Sequence, residues 1–101
     1  MDKQTKREIH ETNTKINAGE NRLKKMEDYI KVLHALVPLV QLASDYAAWL
    51  DLDQGQTKKT WRMILADIET IQAETQEAYS DTADIVYELT NKVNKIKEEN
   101  Q

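Results

Sequence analysis

Apolar side chains recur every seven residues along almost the whole of this chain. In the first half, one row consists of Ile9, Ile16, Leu23, Ile30 and Val37, and a second row of Thr12, Gly19, Met26, Leu33 and Val40. In the second half, the two rows are Trp61, Ile68, Thr75, Thr82, Leu89 and Ile96, and Ile64, Ile71, Ala78 and Ile85. A seven-residue repeat that persists through about four heptads is typical of long helices that pack along a seam.

Helix-breaking residues are rare, and their positions fix the number of helices. The 101 residues include two Gly and one Pro, too few for the turns of a sheet or barrel. The repeat keeps its phase across Gly19, which indicates a continuous helix there, whereas Pro38 clashes with the carbonyl of His34 and predicts a kink. We therefore predict an all-α fold of one domain, a long antiparallel helical hairpin with a helix over about 3–51, a turn at 52–56, a helix over about 57–96 and a frayed tail at 97–101.

The apolar surface is wider than one hairpin can bury. Between Tyr29 and Leu50 the first helix is apolar nearly all the way round, and a third row on the second helix, with Leu65, Tyr79, Val86 and Val93, widens its stripe. One explanation is that Pro38 folds 39–50 back into a three-helix core. We favour another, a four-helix bundle completed by a partner or a second copy. The candidate partner-interface residues are Tyr29, Val32, Leu36, Leu39, Val40, Tyr46, Trp49, Trp61, Leu65, Tyr79, Val86 and Val93.

The two tryptophans of the chain bracket the predicted turn. Trp49 lies at the end of the first helix, and Trp61 lies near the start of the second. We expect both rings to close the tip of the hairpin by packing against the opposite helix. The alternative is that they are binding hot spots, in which Trp is enriched.

An acidic line runs along the second helix. No Lys or Arg occurs between Arg62 and Lys92, and four acidic residues follow one another at seven-residue intervals: Asp67, Glu74, Asp81 and Glu88. One interpretation is a solvated flank that pairs with basic positions such as Lys15 and Arg22. The other is a mimic of nucleic-acid phosphates that binds a basic protein.

The sequence offers no set of residues for catalysis, a metal or a cofactor. The chain has no Cys, and its two histidines, His10 and His34, are 24 positions apart on one predicted helix. Asp51-x-Asp53 resembles the start of a calcium loop, but Gln56 stands at the sixth position where Gly is required. We therefore expect a protein without enzymatic activity and without cofactors. His34 lies in an apolar stretch, and at an interface it would make assembly sensitive to pH.

The distribution of charge limits which binding partners and which cellular location we expect. Residues 1–50 hold eight Lys and Arg against seven Asp and Glu, and residues 51–101 hold six against eleven. Direct binding of nucleic acid is not expected, because it needs a basic face. The longest segment without a full charge, 32–44, is shorter than the ~20 residues of a membrane span, and the charged N-terminus does not resemble a secretory signal. We expect a cytoplasmic protein. The acidic second helix disfavours a third class, a membrane-surface helix or an immunity-type bundle, which the apolar stretch around Pro38 leaves open.

A chain of this length with Trp beside the predicted turn resembles the small helical hairpins of bacterial type VII secretion. These include the Trp-x-Gly hairpins and the helper proteins of LXG-type toxins. Leu50 and Asp51 follow Trp49, so the Gly of the Trp-x-Gly motif is missing, and neither Tyr79 nor Tyr87 begins the family's Tyr-x-x-x-Asp/Glu export signal. The resemblance therefore implies the helper, which docks on a toxin's helical domain, and it is compatible with leaderless export.

Two hypotheses for function follow. The first is a non-catalytic interaction module, an adaptor or chaperone-like helper that binds a helical partner or self-associates. The alternative is a small inhibitor of phage or plasmid type that uses the acidic helix against a nucleic-acid-binding protein.

Overall fold

The chain forms a hairpin of two long helices, which confirms the predicted all-α fold. The computed structural model describes residues 1–50 and 56–100, with the side chains of 47, 48, 50 and 56–58 left aside. Helix α1 is Lys3–Leu50 and helix α2 is Gln56–Glu99, and the described ranges contain no strand. Gln56 begins α2, and the rest of the predicted turn at 52–56 lies outside the described residues. At the other end α2 continues to Glu99, beyond the expected end near residue 96.

Helix α1 passes through both of its potential breaks. Gly19 and Pro38 lie inside it, so the segment after Pro38 is not a separate helix and the three-helix alternative is wrong. Since proline has no N–H, the carbonyl of His34 receives no backbone hydrogen bond from residue 38. On either side of Pro38, Val37 and Val40 lie on the seam, and their packing against α2 favours the continuous helix. The kink itself stays a prediction.

Side chains cap the start of α1 and the end of α2. The backbone N–H of Thr5 donates to Asp2 Oδ1 at 2.7 Å, which makes Asp2 the N-cap of α1. At the end of α2, the Asn100 side-chain amide donates to the carbonyl of Ile96 at 2.8 Å. These bonds satisfy backbone groups that a helix end otherwise leaves to water.

Two compact units make up the hairpin, and each has its own section of the seam. The terminal unit comprises residues 1–26 and 78–101, and the middle unit comprises residues 27–77. In the terminal unit the buried residues include Ile16 and Val93, the latter 4% exposed, and Thr12, whose hydroxyl donates to the carbonyl of Glu8. In the middle unit Val40 and Ser44 are buried. No side chain in the described ranges is wholly buried, so the core is one layer thick.

The buried rows of α1 are those that the sequence predicts, but one row of α2 is different. The third row of α2, with Leu65, Tyr79, Val86 and Val93, lies on the seam with the Trp61 row, whereas Ile64, Ile71 and Ile85 are exposed. Both candidate rows are apolar, so spacing within α2 does not distinguish them. The ends of the two rows do distinguish them. Burying the row of Ile85 would also bury the charged Lys92, whereas the other row has Val93 at the equivalent place.

Gly19 marks a close approach of the two helices in the terminal unit. A methyl group in place of its hydrogen would lie 2.5 Å from Val86 Cγ2, well inside van der Waals contact. Valine in a helix has one strongly preferred rotamer, so Val86 cannot turn aside at low cost. Glycine is needed here for space, although it is a poor helix former.

We predict that Gly19→Ala has opposite effects in two backgrounds. In the wild-type chain the clash with Val86, typically ~1–3 kcal/mol for overpacking, should offset the gain of ~1 kcal/mol in helix propensity and lower the free energy of unfolding. In a Val86→Ala background the same change should raise it by about 1 kcal/mol. Urea unfolding followed by circular dichroism measures both. Stabilisation by Gly19→Ala in the wild-type chain would contradict the close contact.

Asp2 predicts a pH dependence at the start of α1. The hydrogen bond from the Thr5 backbone lowers the pKa of the Asp2 carboxyl below its ordinary value of 3.8. Its stabilisation of the helix end is therefore complete above that ordinary value, and it is lost as pH falls through the lowered pKa. An NMR titration should show the Thr5 amide shifting at the pKa of Asp2, and the shift should be absent in Asp2→Asn, whose cap is neutral. Titration of Asp2 at its ordinary pKa would argue against the cap.

Candidate functional site

Exposed apolar side chains are concentrated in the middle unit, on one side of α1. They recur at intervals of three or four residues and so share one helix face. Leu39 is 61% exposed, Trp49 is 76% exposed, and Leu36, the least exposed, is still 37% accessible. We call this set the α1 stripe: Tyr29, Val32, Leu36, Leu39, Leu42, Tyr46 and Trp49. None of these residues belongs to the seam rows, so the stripe is surplus to the packing of the hairpin.

Helix α2 contributes to the same face. A groove of about 430 Å³ is lined by Tyr29, Val32 and Leu33 of α1 and by Ile71 and Thr75 of α2. Tyr29 and Ile71 each lie one residue before a seam position, so the flanks that carry them lie on the same side of the hairpin. Ile64, one heptad before Ile71, is also exposed. The α1 stripe, the groove and these two isoleucines together form what we call the open face.

The other flank of the seam in the middle unit is polar. The exposed ring of His34 lies on this flank, and its Nδ1 is 3.5 Å from the amide nitrogen of Gln72, a half-buried residue of the third row of α2. His34 is flanked at heptad spacing by Glu27 and Gln41. The middle unit is therefore two-sided, with water-compatible groups beside one edge of the seam and aliphatic and aromatic groups beside the other.

In the terminal unit the positions that correspond to the open face are charged. Glu8 and Lys92 each lie one residue before a seam position, and their side chains form an ion pair at 3.6 Å. Lys15 and Arg22 follow at heptad spacing on α1. Such an exposed pair contributes at most ~1 kcal/mol to stability, but it leaves no continuous apolar surface. Exposed apolar residues also occur in this unit, Ile85 and Tyr87 among them, without an apolar row opposite them.

All four residues of the acidic line are exposed. Asp67 and Glu74 lie in the middle unit, three residues after Ile64 and Ile71 respectively, and so form the outer border of the open face on α2. Asp81 and Glu88 lie in the terminal unit. The expected pairing of the line with Lys15 and Arg22 is not observed: within the ranges 1–50 and 56–100 none of the four carboxylates forms an ion pair.

The tryptophans differ in their surroundings. Trp49 stacks on Tyr46 of its own helix, with ring centroids 5.9 Å apart and planes inclined by 28°. Three quarters of Trp49 remain accessible to solvent. The expectation that its ring packs against the opposite helix is therefore wrong. Trp61 is half-buried on the seam. The stacked pair extends the open face with a flat aromatic surface.

The predicted partner-interface residues fall into three groups. Exposed on the open face are Tyr29, Val32, Leu36, Leu39, Tyr46 and Trp49; half-buried on the seam are Trp61, Leu65, Tyr79 and Val86; and buried are Val40 and Val93. Sequence reasoning left Leu42, Ile64 and Ile71 out of the interface. Ile64 and Ile71 can be assigned to the exposed surface only once it is known which of the two rows of α2 packs against α1. The ends of the rows carry that signal, since burying the row of these isoleucines would also bury Lys92.

A metal-binding cluster and a membrane-spanning stretch are both absent from the described residues. No group of three His, Asp or Glu side chains among them is arranged to hold a metal ion. Within the same residues, no helix has a stretch apolar and long enough to cross a membrane.

We predict opposite outcomes for two adjacent residues of α1. Leu39→Gln should change the free energy of unfolding by no more than ~0.5 kcal/mol, because the side chain is already mostly in water. Val40→Ala should lower it by about 1–3 kcal/mol, because Val40 is only 9% exposed and its removal leaves a gap in the seam. Urea unfolding of both variants measures the difference. A large loss on changing Leu39 would mean that the stripe belongs to the core.

Comparisons with protein-family models, with curated proteins and with solved structures gave no significant match for this chain. The resemblance to type VII secretion hairpins is therefore a prediction from the sequence.

Proposed function

We propose that this protein is a non-catalytic interaction module that binds a helical protein through the open face, as an adaptor or chaperone-like helper. The supporting observation is the α1 stripe, seven large apolar side chains that the hairpin leaves in water. Contiguous apolar surface of this kind is rare on monomeric proteins and marks interaction sites.

The size of the open face agrees with this role. Its large side chains are mostly about half exposed or more, and together they offer apolar surface on the order of several hundred Å². A stable interface uses ~800 Å² from each partner. At ~25 cal/mol per Å² of apolar surface removed from water, covering the face offers several kcal/mol toward association.

A helix suits the face better than a strand or a loop. The stripe follows α1 with helical spacing, and the groove runs between two helices. An added helix satisfies its own backbone hydrogen bonds and needs only an apolar stripe to fit. If the partner is itself a helical hairpin, the two hairpins together form a four-helix bundle. In the form suggested by the type VII resemblance, the partner is the helical domain of a toxin.

Site-specific photocrosslinking tests the proposal. A photoreactive phenylalanine analogue at Leu39 should crosslink to another protein chain in the native cells, because this position lies in the middle of the stripe. The matched control is the same analogue at Tyr87, an exposed residue of the terminal unit, and it should give little product. Changing Leu36 and Tyr46 to Glu should remove the product from position 39. Equal crosslinking from both positions, or none from either, would reject the proposal.

The alternative is an inhibitor that uses the whole acidic line as a phosphate mimic. The observation that favours it is that the four carboxylates are exposed and without ion-pair partners in the described part of the chain. This mechanism predicts that Asp81→Lys with Glu88→Lys weakens binding as strongly as Asp67→Lys with Glu74→Lys. It also predicts that Leu39→Gln has little effect. Binding to an identified partner, measured by calorimetry at low and high salt, distinguishes the two.

A further inference from the structure

The geometry points to a specific occupant of the open face: an amphipathic helix of a different protein that carries Lys or Arg along the edge lying next to α2. This inference rests on the proposed function and adds the chemistry of the partner. It is carried by the contrast between the two borders of the open face.

The apolar part of the face sets the length and the stripe of the occupant. From Tyr29 to Trp49 the stripe spans 21 residues, or about 30 Å of helix. A partner helix that covers it needs about six turns, with apolar residues at intervals of three and four. The groove beside Tyr29 and Ile71 receives the largest of these side chains.

The charged residues at the border of the open face determine which charge the occupant carries along its edge. On the α1 side the positions that border the stripe are Lys31, Pro38 and Asp45, so the two charges of this border have opposite signs and no net charge results. On the α2 side the border is Asp67 and Glu74, both exposed and unpaired among the described residues. A helix on the face places one of its edges beside these carboxylates. Basic residues at that edge gain favourable pairing, whereas acidic ones meet like charge next to a desolvated surface.

A second copy of this chain fits the face less well than such a helix. Residues 27–77 hold nine Asp and Glu against four Lys and Arg, so two middle units repel each other. The helix edges that a copy would bring to the face carry Val32 and Leu39 on α1 and Asp67 and Glu74 on α2. None of these positions supplies the positive charge that the α2 border lacks. The occupant is therefore assigned to another protein.

A peptide-display selection against the whole protein tests this assignment. The library holds one 22-residue amphipathic helix with a fixed apolar stripe, and each position along both edges is either Lys or Glu. We expect enrichment of Lys over Glu along one edge, and an enriched peptide should bind at least tenfold more tightly than its Glu-edged counterpart in 50 mM salt. That ratio should fall in 0.5 M salt, where charges are screened.

Matched charge reversals locate the effect. Asp67→Lys with Glu74→Lys should reverse the selection in favour of Glu at the same edge. Asp81→Lys with Glu88→Lys makes the same change in the terminal unit, at residues that are not part of the open face, and should leave the selection as it is. Asp67→Asn with Glu74→Gln should remove the preference without introducing new charge. Circular dichroism checks that each variant keeps its helices.

The outcomes separate this inference from the proposed function. Binding of Lys-edged and Glu-edged peptides with equal affinity would overturn the inference while the apolar face still acts as a binding site. Failure of every peptide to bind, together with sedimentation as a monomer, would count against both. Self-association at micromolar concentration that Leu39→Glu abolishes would show that the occupant is a second copy, and would overturn the assignment to another protein.

Discussion

A two-helix hairpin can bury only one stripe of each helix, and the rest of this structure depends on that limit. Along α1 every seam position is filled by the two predicted rows, yet even the best-buried side chains keep some contact with water. A third layer would be needed to enclose a side chain on all sides. The hairpin is thus held by a single line of contacts, and any apolar residue outside that line remains at the surface, where it is available for other contacts.

The two units use the flank of the seam in different ways. In the terminal unit the flank carries Glu8 and Lys92, which pair with each other and remain hydrated. In the middle unit the equivalent flank carries Tyr29 and Ile71, which meet across a groove. Both pairs occupy equivalent heptad positions, one residue before the seam, so the two units differ in the side chains placed there. The flank is therefore apolar in the middle unit and charged in the terminal unit.

Much of the fold could be predicted from the sequence, because helix number and the rows of α1 depend on local spacing and on the rarity of Gly and Pro. The α2 rows could not be assigned from their spacing alone, because both are largely apolar and only their ends, Lys92 against Val93, separate them. Ile64 and Leu65 flank the Trp61 row on opposite sides, and the partner helix decides which of them is buried. Trp49 shows a second limit: its type favours burial, but a helix end offers little to pack against, and it stacks on Tyr46 instead. The surplus apolar surface of α1 is therefore predictable from the sequence, whereas on α2 the sequence predicts a seam row, that of Ile64 and Ile71, which the structure leaves exposed.

The space left by Gly19 has a consequence for the register in which α1 and α2 pair. Aliphatic seams are tolerant of sliding, because a shift of one heptad replaces one apolar contact by a similar one. The polar residue Thr12 does not prevent it, since its hydroxyl bonds to its own helix and would do so in any alignment. Gly19 leaves room for the side chain of Val86, and a slipped pairing would place a Thr, Met or Tyr of the neighbouring heptads beside one of the two residues. In the terminal unit, the missing side chain of Gly19 thus fixes the register in which the two repetitive helices pair.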